Sequence, residues 1–155
     1  MANETKRNLL DFSLWIAGLL AGMVLLAHEA MAGGSLATPP NAAWKAECES
    51  CHIAYPPQLL PAQAWRRMMS QLDRHFGADA SVEAAAAAEI TAYLERHAGT
   101  GKRVAGAGSS LRITETPWFV REHGEVSLKN AASCAACHTL AERGDFSERN
   151  IRLPR

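Results

Sequence analysis

The chain has 155 residues, with 16 Lys+Arg against 16 Asp+Glu and 48% hydrophobic residues. That length allows one domain or two very small lobes. The balanced charge offers no basic surface for nucleic acid and no strong field for an acidic partner, so neither is expected. The composition is alanine-rich, low in β-branched residues and without a long alternating run, which predicts a mostly α fold.

The N-terminus has the form of an export leader. Lys6 and Arg7 make a positive start, Phe12 to Ala27 is apolar except for Ser13, and Ala30-Met31-Ala32 supplies an A-x-A cleavage site before Gly33. Residues 1–32 are therefore expected to be a signal peptide. An uncleaved membrane anchor is the alternative, but the apolar run is short for a span of about 20 residues and His28-Glu29 ends it abruptly. Cleavage after Ala32 would leave 14 basic against 13 acidic residues.

Residues 33–40 read as a flexible lead-in, 41–98 as a first lobe, the Gly/Ser-rich stretch 99–110 as a linker and 111–155 as a second lobe. In the first lobe Asn41 can cap a short helix carrying Trp44. Pro61 starts a helix with Trp65, Met68, Met69 and Leu72 near one stripe, ending by His75-Phe76-Gly77. Ser81 is expected to open an alanine-rich third helix with Ile90, Tyr93, Leu94 and His97. In the second lobe Arg112-Ile113-Thr114 reads as extended, and Thr116-Pro117 starts a helix that stops at Gly124. Ser127 would cap a further helix, and the tail after Gly144 looks irregular.

Two pentapeptides carry the chemistry. Cys48-Glu49-Ser50-Cys51-His52 and Cys134-Ala135-Ala136-Cys137-His138 both read C-x-x-C-H, the attachment signature of c-type haem. Cysteines three apart lie on one side of a helical turn, so both sulfurs can join the vinyl groups of one haem edge. The adjoining histidine is then carried under the iron as its proximal ligand. All four cysteines are used, two per site. A thioredoxin-like motif would follow a strand, a zinc site would have to join pairs more than eighty residues apart, and structural disulfides would not require the histidines. Haem c is attached outside the bacterial cytoplasm, so the motifs and the leader together imply the periplasm. Each lobe has too few residues for a large core, and the macrocycle would supply the missing apolar body.

Function turns on the sixth ligand of each iron. The cleaved chain would keep only Met68 and Met69, both in the first lobe, and both read better as packing than as ligands. The histidines outside the motifs are then His75, His97 and His123. His75 follows the helix after the first motif, and His123 lies just upstream of the second motif beside Trp118 and Phe119. Both are the expected ligands. His97 reads as a helix C-terminal residue favoured by the dipole, with ligation as the alternative. Trp44, Trp65 and Trp118 read as haem-pocket packing rather than relay groups.

The string Glu47-Cys48-Glu49-Ser50-Cys51-His52-Ile53-Ala54-Tyr55-Pro56-Pro57, with Leu59-Leu60-Pro61, Trp65 and His75-Phe76-Gly77, resembles the bacterial dihaem cytochrome c family. The second half agrees through Arg112-Ile113-Thr114-Glu115-Thr116-Pro117-Trp118-Phe119, His123, the second motif and Gly144-Asp145-Phe146-Ser147-Glu148-Arg149-Asn150-Ile151. The resemblance is weakest in the linker. It implies a two-lobed periplasmic electron carrier, not an enzyme, with two bis-histidine haems: His52 with His75, and His138 with His123. A crossed pairing would use the same histidines. It also implies a membrane cytochrome b as donor and a small soluble c-type haem protein as acceptor. A haem enzyme or gas-binding protein with one open iron is the other class, and a haem-based sensor lacks an attached output domain.

Overall fold

The computed structural model describes residues 36–124 and 131–153; the expected leader and the Ser127 cap lie outside them. The described part is mostly helical. Four α-helices, α1 (Ala42–Cys48), α2 (Ala62–Met69), α3 (Ala84–Arg96) and α4 (Pro117–His123), are joined by short 3₁₀ turns. Among the described residues there is no strand, only isolated bridges at His75–Ala78, His138–Ile151 and Leu140–Asp145. No helix among them is long and apolar enough to cross a membrane.

Local chemistry sets most of the helix starts. Asn41 caps α1, its Oδ1 accepting from the Trp44 N–H at 2.7 Å. The same side chain donates to Glu89 on α3 at 2.8 Å, so the cap also docks α1 on its neighbour. Pro61 occupies the N-cap of α2 and Pro117 the first turn of α4, where a missing N–H costs nothing. Thr116 caps α4 through its Oγ1, which accepts from the Phe119 N–H at 3.2 Å.

Three local expectations are corrected. The helix after Pro61 stops at Met69, because Ser70 turns its hydroxyl back to the Arg67 carbonyl; a separate 3₁₀ turn, Leu72–Arg74, then leads to His75. The third helix starts at Ala84 and not at Ser81, whose N–H is bound to the Asp79 carboxylate at 2.9 Å in a local turn. The segment after Arg112 is not extended. Ile113–Glu115 forms a 3₁₀ turn, drawn tight because both the N–H and the hydroxyl of Thr116 bind the Ile113 carbonyl.

The core lies between α2 and α3, where Leu60, Ala64, Trp65, Met68, Ile90, Tyr93 and Leu94 are buried together. Trp65 satisfies its indole N–H on the Pro57 carbonyl at 2.7 Å. Gly99 closes this core. Its N–H binds the Leu60 carbonyl at 2.9 Å, and a Cβ there would run into the Gln58 carbonyl and the Val104 side chain.

Residues 36–40 and the 99–110 stretch are both held down by specific contacts. Leu36 is buried, with its N–H on the Gly144 carbonyl at 2.8 Å, and the Tyr93 hydroxyl reaches Thr38 Oγ1 at 2.9 Å. In the 99–110 stretch Ala107 is buried, Arg67 donates to the Ser109 carbonyl and the Arg103 guanidinium lies 5.4 Å from the Trp118 ring centre. Beyond residue 99 the described core holds only three buried apolar residues, Ala107, Phe119 and Ala141. That half has almost no apolar interior of its own protein atoms.

Candidate functional site

The first motif begins on the last residue of α1, Cys48, and continues as a turn through Cys51 to His52. The second lies on a 3₁₀ turn, Cys134–Ala136, where the N–H groups of Cys137 and His138 both bind the Cys134 carbonyl. In both places each cysteine pair and its histidine share one tight bend, as the attachment chemistry requires. All four cysteines are free of disulfides. Burial, reinforced by Glu47 and Glu49, pushes the Cys48 thiol up to about 11, and burial also raises the Cys134 thiol. Neither is poised as a low-pKa redox nucleophile. Among the described residues no three His, Cys, Asp or Glu side chains gather to hold a metal ion by themselves, which leaves the zinc alternative without a ligand set.

The structure brings each motif histidine to one of the expected partners. His52 and His75 have ring centroids 6.2 Å apart and planes 26° from parallel. His123 and His138 have centroids 6.1 Å apart and planes at 74°. In each case the neighbouring ring is the one the uncrossed arrangement would use. His97 joins neither pair; it caps α3 and packs on the Tyr93 ring. Met68 is buried in the α2–α3 core with Met69 packed against that core, away from a ligand role. Trp65 belongs to the same core, and Trp44 packs on Tyr93.

Each pair has one anchored ring. His52 Nδ1 donates to the Ile53 carbonyl at 2.8 Å, and His123 Nδ1 donates to the Phe119 carbonyl at 3.0 Å. A carbonyl can only accept, so Nδ1 carries the hydrogen and Nε2 keeps the lone pair that a metal needs. Phe119 also stacks its ring on His123, with centroids 4.0 Å apart. The other ring of each pair is held differently. His75 stands on the turn whose next residue, Phe76, has φ 48°, followed by Gly77 at φ 98°. Phe76 meets His75 edge-on at 4.8 Å, and the Arg112 guanidinium covers the Phe76 ring at 4.2 Å. His138 lies 5.3 Å from the Phe146 ring.

The electrostatics favour neutral imidazoles. Burial, then the neighbouring His52, lowers the pKa of His75. Burial, then His123, lowers that of His138, opposed by Asp145. The Nδ1 atoms of His75 and His138 are buried with no partner among the described residues. Two sulfurs in one turn, a motif imidazole and a facing second imidazole form a donor set that fits an iron porphyrin at each site.

Local sequence reasoning did not single out Tyr55 or Phe146, and it missed the Ile53 and Phe119 carbonyls. Tyr55 stacks on His52 with centroids 4.6 Å apart and planes 24° from parallel. Its spacing of three residues from His52 was the available signal.

Comparison with known proteins agrees with this geometry. The family described as dihaem cytochrome c matches residues 44–146. A crystal structure of DHC from Rhodobacter sphaeroides is 39% identical, with a TM-score of 0.62, covering 71% of this chain and 100% of its own. A second structure, a diheme cytochrome c from the same organism, is 43% identical with a TM-score of 0.63, covering 68% of this chain and 96% of its own. The diheme cytochrome type c sb-DHC from Shewanella baltica OS155 is 37% identical with a TM-score of 0.64, covering 76% of this chain and 95% of its own. No curated protein sequence matches the chain. With two C-x-x-C-H turns, each facing a second imidazole, and a family match across most of its length, the chain belongs to the dihaem cytochrome c family and carries two c-type haems.

Proposed function

We propose that the protein is a periplasmic electron carrier in which both irons are bis-histidine, His52 with His75 and His138 with His123. The ring separations carry this reading. Metal–imidazole bonds are about 2.0–2.1 Å long, and ring bonds of about 1.33 Å put each ring atom about 1.1 Å from its centre. Two imidazoles across one metal then have centroids about 6.3 Å apart. The observed 6.2 and 6.1 Å agree in both lobes.

Bound between such imidazoles, each iron supplies a one-electron couple with no open coordination position. The protein's part is to hold that arrangement still. The Ile53 and Phe119 carbonyls orient His52 and His123 through Nδ1, so a change of charge at the metal need not move a ligand. Phe76 and Phe119 pack against the two sixth-ligand candidates, His75 and His123. No acid, base or nucleophile is required.

Export by residues 1–32, two haem lobes at 41–98 and 111–155, a membrane cytochrome b as donor and a small soluble c-type haem protein as acceptor complete the proposal. The near-neutral chain, 14 basic against 13 acidic residues after residue 32, suits transient docking without a strong steering field.

The test is the visible spectrum of the reduced holoprotein before and after carbon monoxide. An unchanged low-spin spectrum for two haems is expected. A shift in about half the haem absorbance would expose one open iron and replace the carrier reading with ligand binding or catalysis.

A further inference from the structure

Tyr55 touches both haem-attachment sites at once. Its ring lies on His52 with centroids 4.6 Å apart and planes 24° from parallel. Its hydroxyl donates to the Ala132 carbonyl at 2.6 Å, across 77 positions of sequence. Ala132 lies two residues before Cys134, and the Cys134 sulfur itself sits 3.8 Å from that same carbonyl. An iron ligand of one site is thereby joined to a thioether cysteine of the other by one ring, one short hydrogen bond and two residues of backbone.

We propose that Tyr55 is the bridging residue through which the two haems are electronically coupled. The inference rests on the bis-histidine carrier reading and names the route inside it. What would pass is one electron, between the haem whose iron His52 would hold and the haem that Cys134 would attach. No bond is made or broken, and the phenol keeps its proton throughout, donating it in a hydrogen bond to the Ala132 carbonyl. A stacked aromatic ring and a short hydrogen bond give better overlap than a solvent gap would. The stack further requires that the Tyr55 ring follow His52, so the bridge and the ligand stay in register.

The second consequence is electrostatic. In the wild type the Tyr55 O–H covers the negative end of the Ala132 carbonyl beside Cys134. Removing that donor leaves the carbonyl dipole uncompensated near the second haem, which favours the ferric state there. Hydrogen bonding and dipoles in the shell around a haem are among the protein's levers on its potential.

The experiment compares wild type, Tyr55→Phe, Tyr55→Leu and Tyr93→Phe holoproteins. Tyr93→Phe serves as the control, because it also removes a hydroxyl tether, to Thr38 and Pro39, without touching either histidine pair. Three quantities are read: the visible low-spin spectrum, the interhaem exchange rate in half-reduced protein, and the two midpoint potentials. Expected is a retained low-spin spectrum throughout, slower exchange in Tyr55→Phe, slower still in Tyr55→Leu, and no slowing in Tyr93→Phe. The potential of the haem on Cys134 should shift downward in Tyr55→Phe while that of the haem on His52 stays in place. Unchanged exchange and potentials in Tyr55→Leu with a low-spin spectrum would overturn the bridge and leave the carrier reading standing. Equal slowing in Tyr93→Phe would reduce Tyr55 to a structural tether and overturn it too. A wild-type spectrum that shifts with carbon monoxide would instead remove the carrier reading, and the bridge with it.

Discussion

The His123 and His138 rings stand at 74° to one another, whereas the equivalent rings of His52 and His75 are only 26° from parallel. The difference has a local origin. His123 is turned by its bond to the Phe119 carbonyl and its stack on the Phe119 ring, while His52 is aligned by its bond to Ile53 and its stack on Tyr55.

That angle is visible spectroscopically. Near-parallel axial imidazoles donate into the same iron d orbital and split the pair; near-perpendicular ones donate equally into both and leave them close in energy. The oxidised holoprotein should therefore give two distinct low-spin paramagnetic resonance signals, one rhombic from His52/His75 and one strongly anisotropic from His123/His138. Two superimposable rhombic signals would contradict the ring orientations at the second site.

Acid should weaken the protein through the same histidines. His75 and His138 have pKa values below the ordinary 6.5 because burial and a neighbouring imidazole oppose their charge. The unfolded chain then binds more protons than the folded one between the lowered values and 6.5, so stability rises with pH across that window. The stabilisation is complete above about 6.5 and is lost as pH falls towards the lowered values. Coordination to iron acts in the same direction, since only the neutral ring is a ligand. Thermal midpoints of the holoprotein should be level above neutrality and fall on acidification. Midpoints that rise as pH drops below 6 would refute the sign.

Loss of haem should damage the two halves unequally. The α2–α3 region keeps Leu60, Trp65, Met68, Ile90, Tyr93 and Leu94 as a protein core, but among the described residues beyond 99 the buried apolar side chains are only Ala107, Phe119 and Ala141. A chain with both motifs changed from Cys to Ser should lose much of its helical circular dichroism. Limited proteolysis should cut it first between residues 99 and 153. First cuts inside α2 or α3 would show that the apolar cluster does not persist without haem.

What could be read from sequence follows from how far each interaction reaches. The haem turns, the Asn41 cap and the Thr116-Pro117 start are decided within a few residues, and the structure has them where local rules put them. The start at Ala84 and the turn at Ile113–Glu115 are decided by competing short-range hydrogen bonds, from Asp79 and from Thr116, that a periodicity cannot reveal. The spacing of Tyr55 from His52 is local, but its hydrogen bond to Ala132, 77 residues away, is beyond any local rule. That the His75 ring faces His52 and the His123 ring faces His138 is a tertiary relationship no local rule carries, since uncrossed and crossed ligation would use the same four side chains.

Thr116 is the most economical point at which to loosen the second haem site without touching a ligand. It is fully buried, its hydroxyl donates to the Ile113 carbonyl at 2.8 Å, and its oxygen accepts from the Phe119 N–H at 3.2 Å. Phe119 in turn supplies the carbonyl and the ring that orient His123. Thr116→Ala removes the cap of α4, leaves the Phe119 N–H without its acceptor and takes one of two donors from the Ile113 carbonyl, a loss of about 1–2 kcal/mol. Thr116→Ser keeps both hydrogen bonds and loses only a methyl group, about 1 kcal/mol or less. Denaturant midpoints should therefore fall in the order wild type, Ser, Ala. On warming, the Ala variant should lose its anisotropic resonance signal before the rhombic one, because α4 carries His123 but neither ligand of the first site. Simultaneous loss of the two signals would mean that the cap stabilises the whole molecule and not the His123 helix in particular.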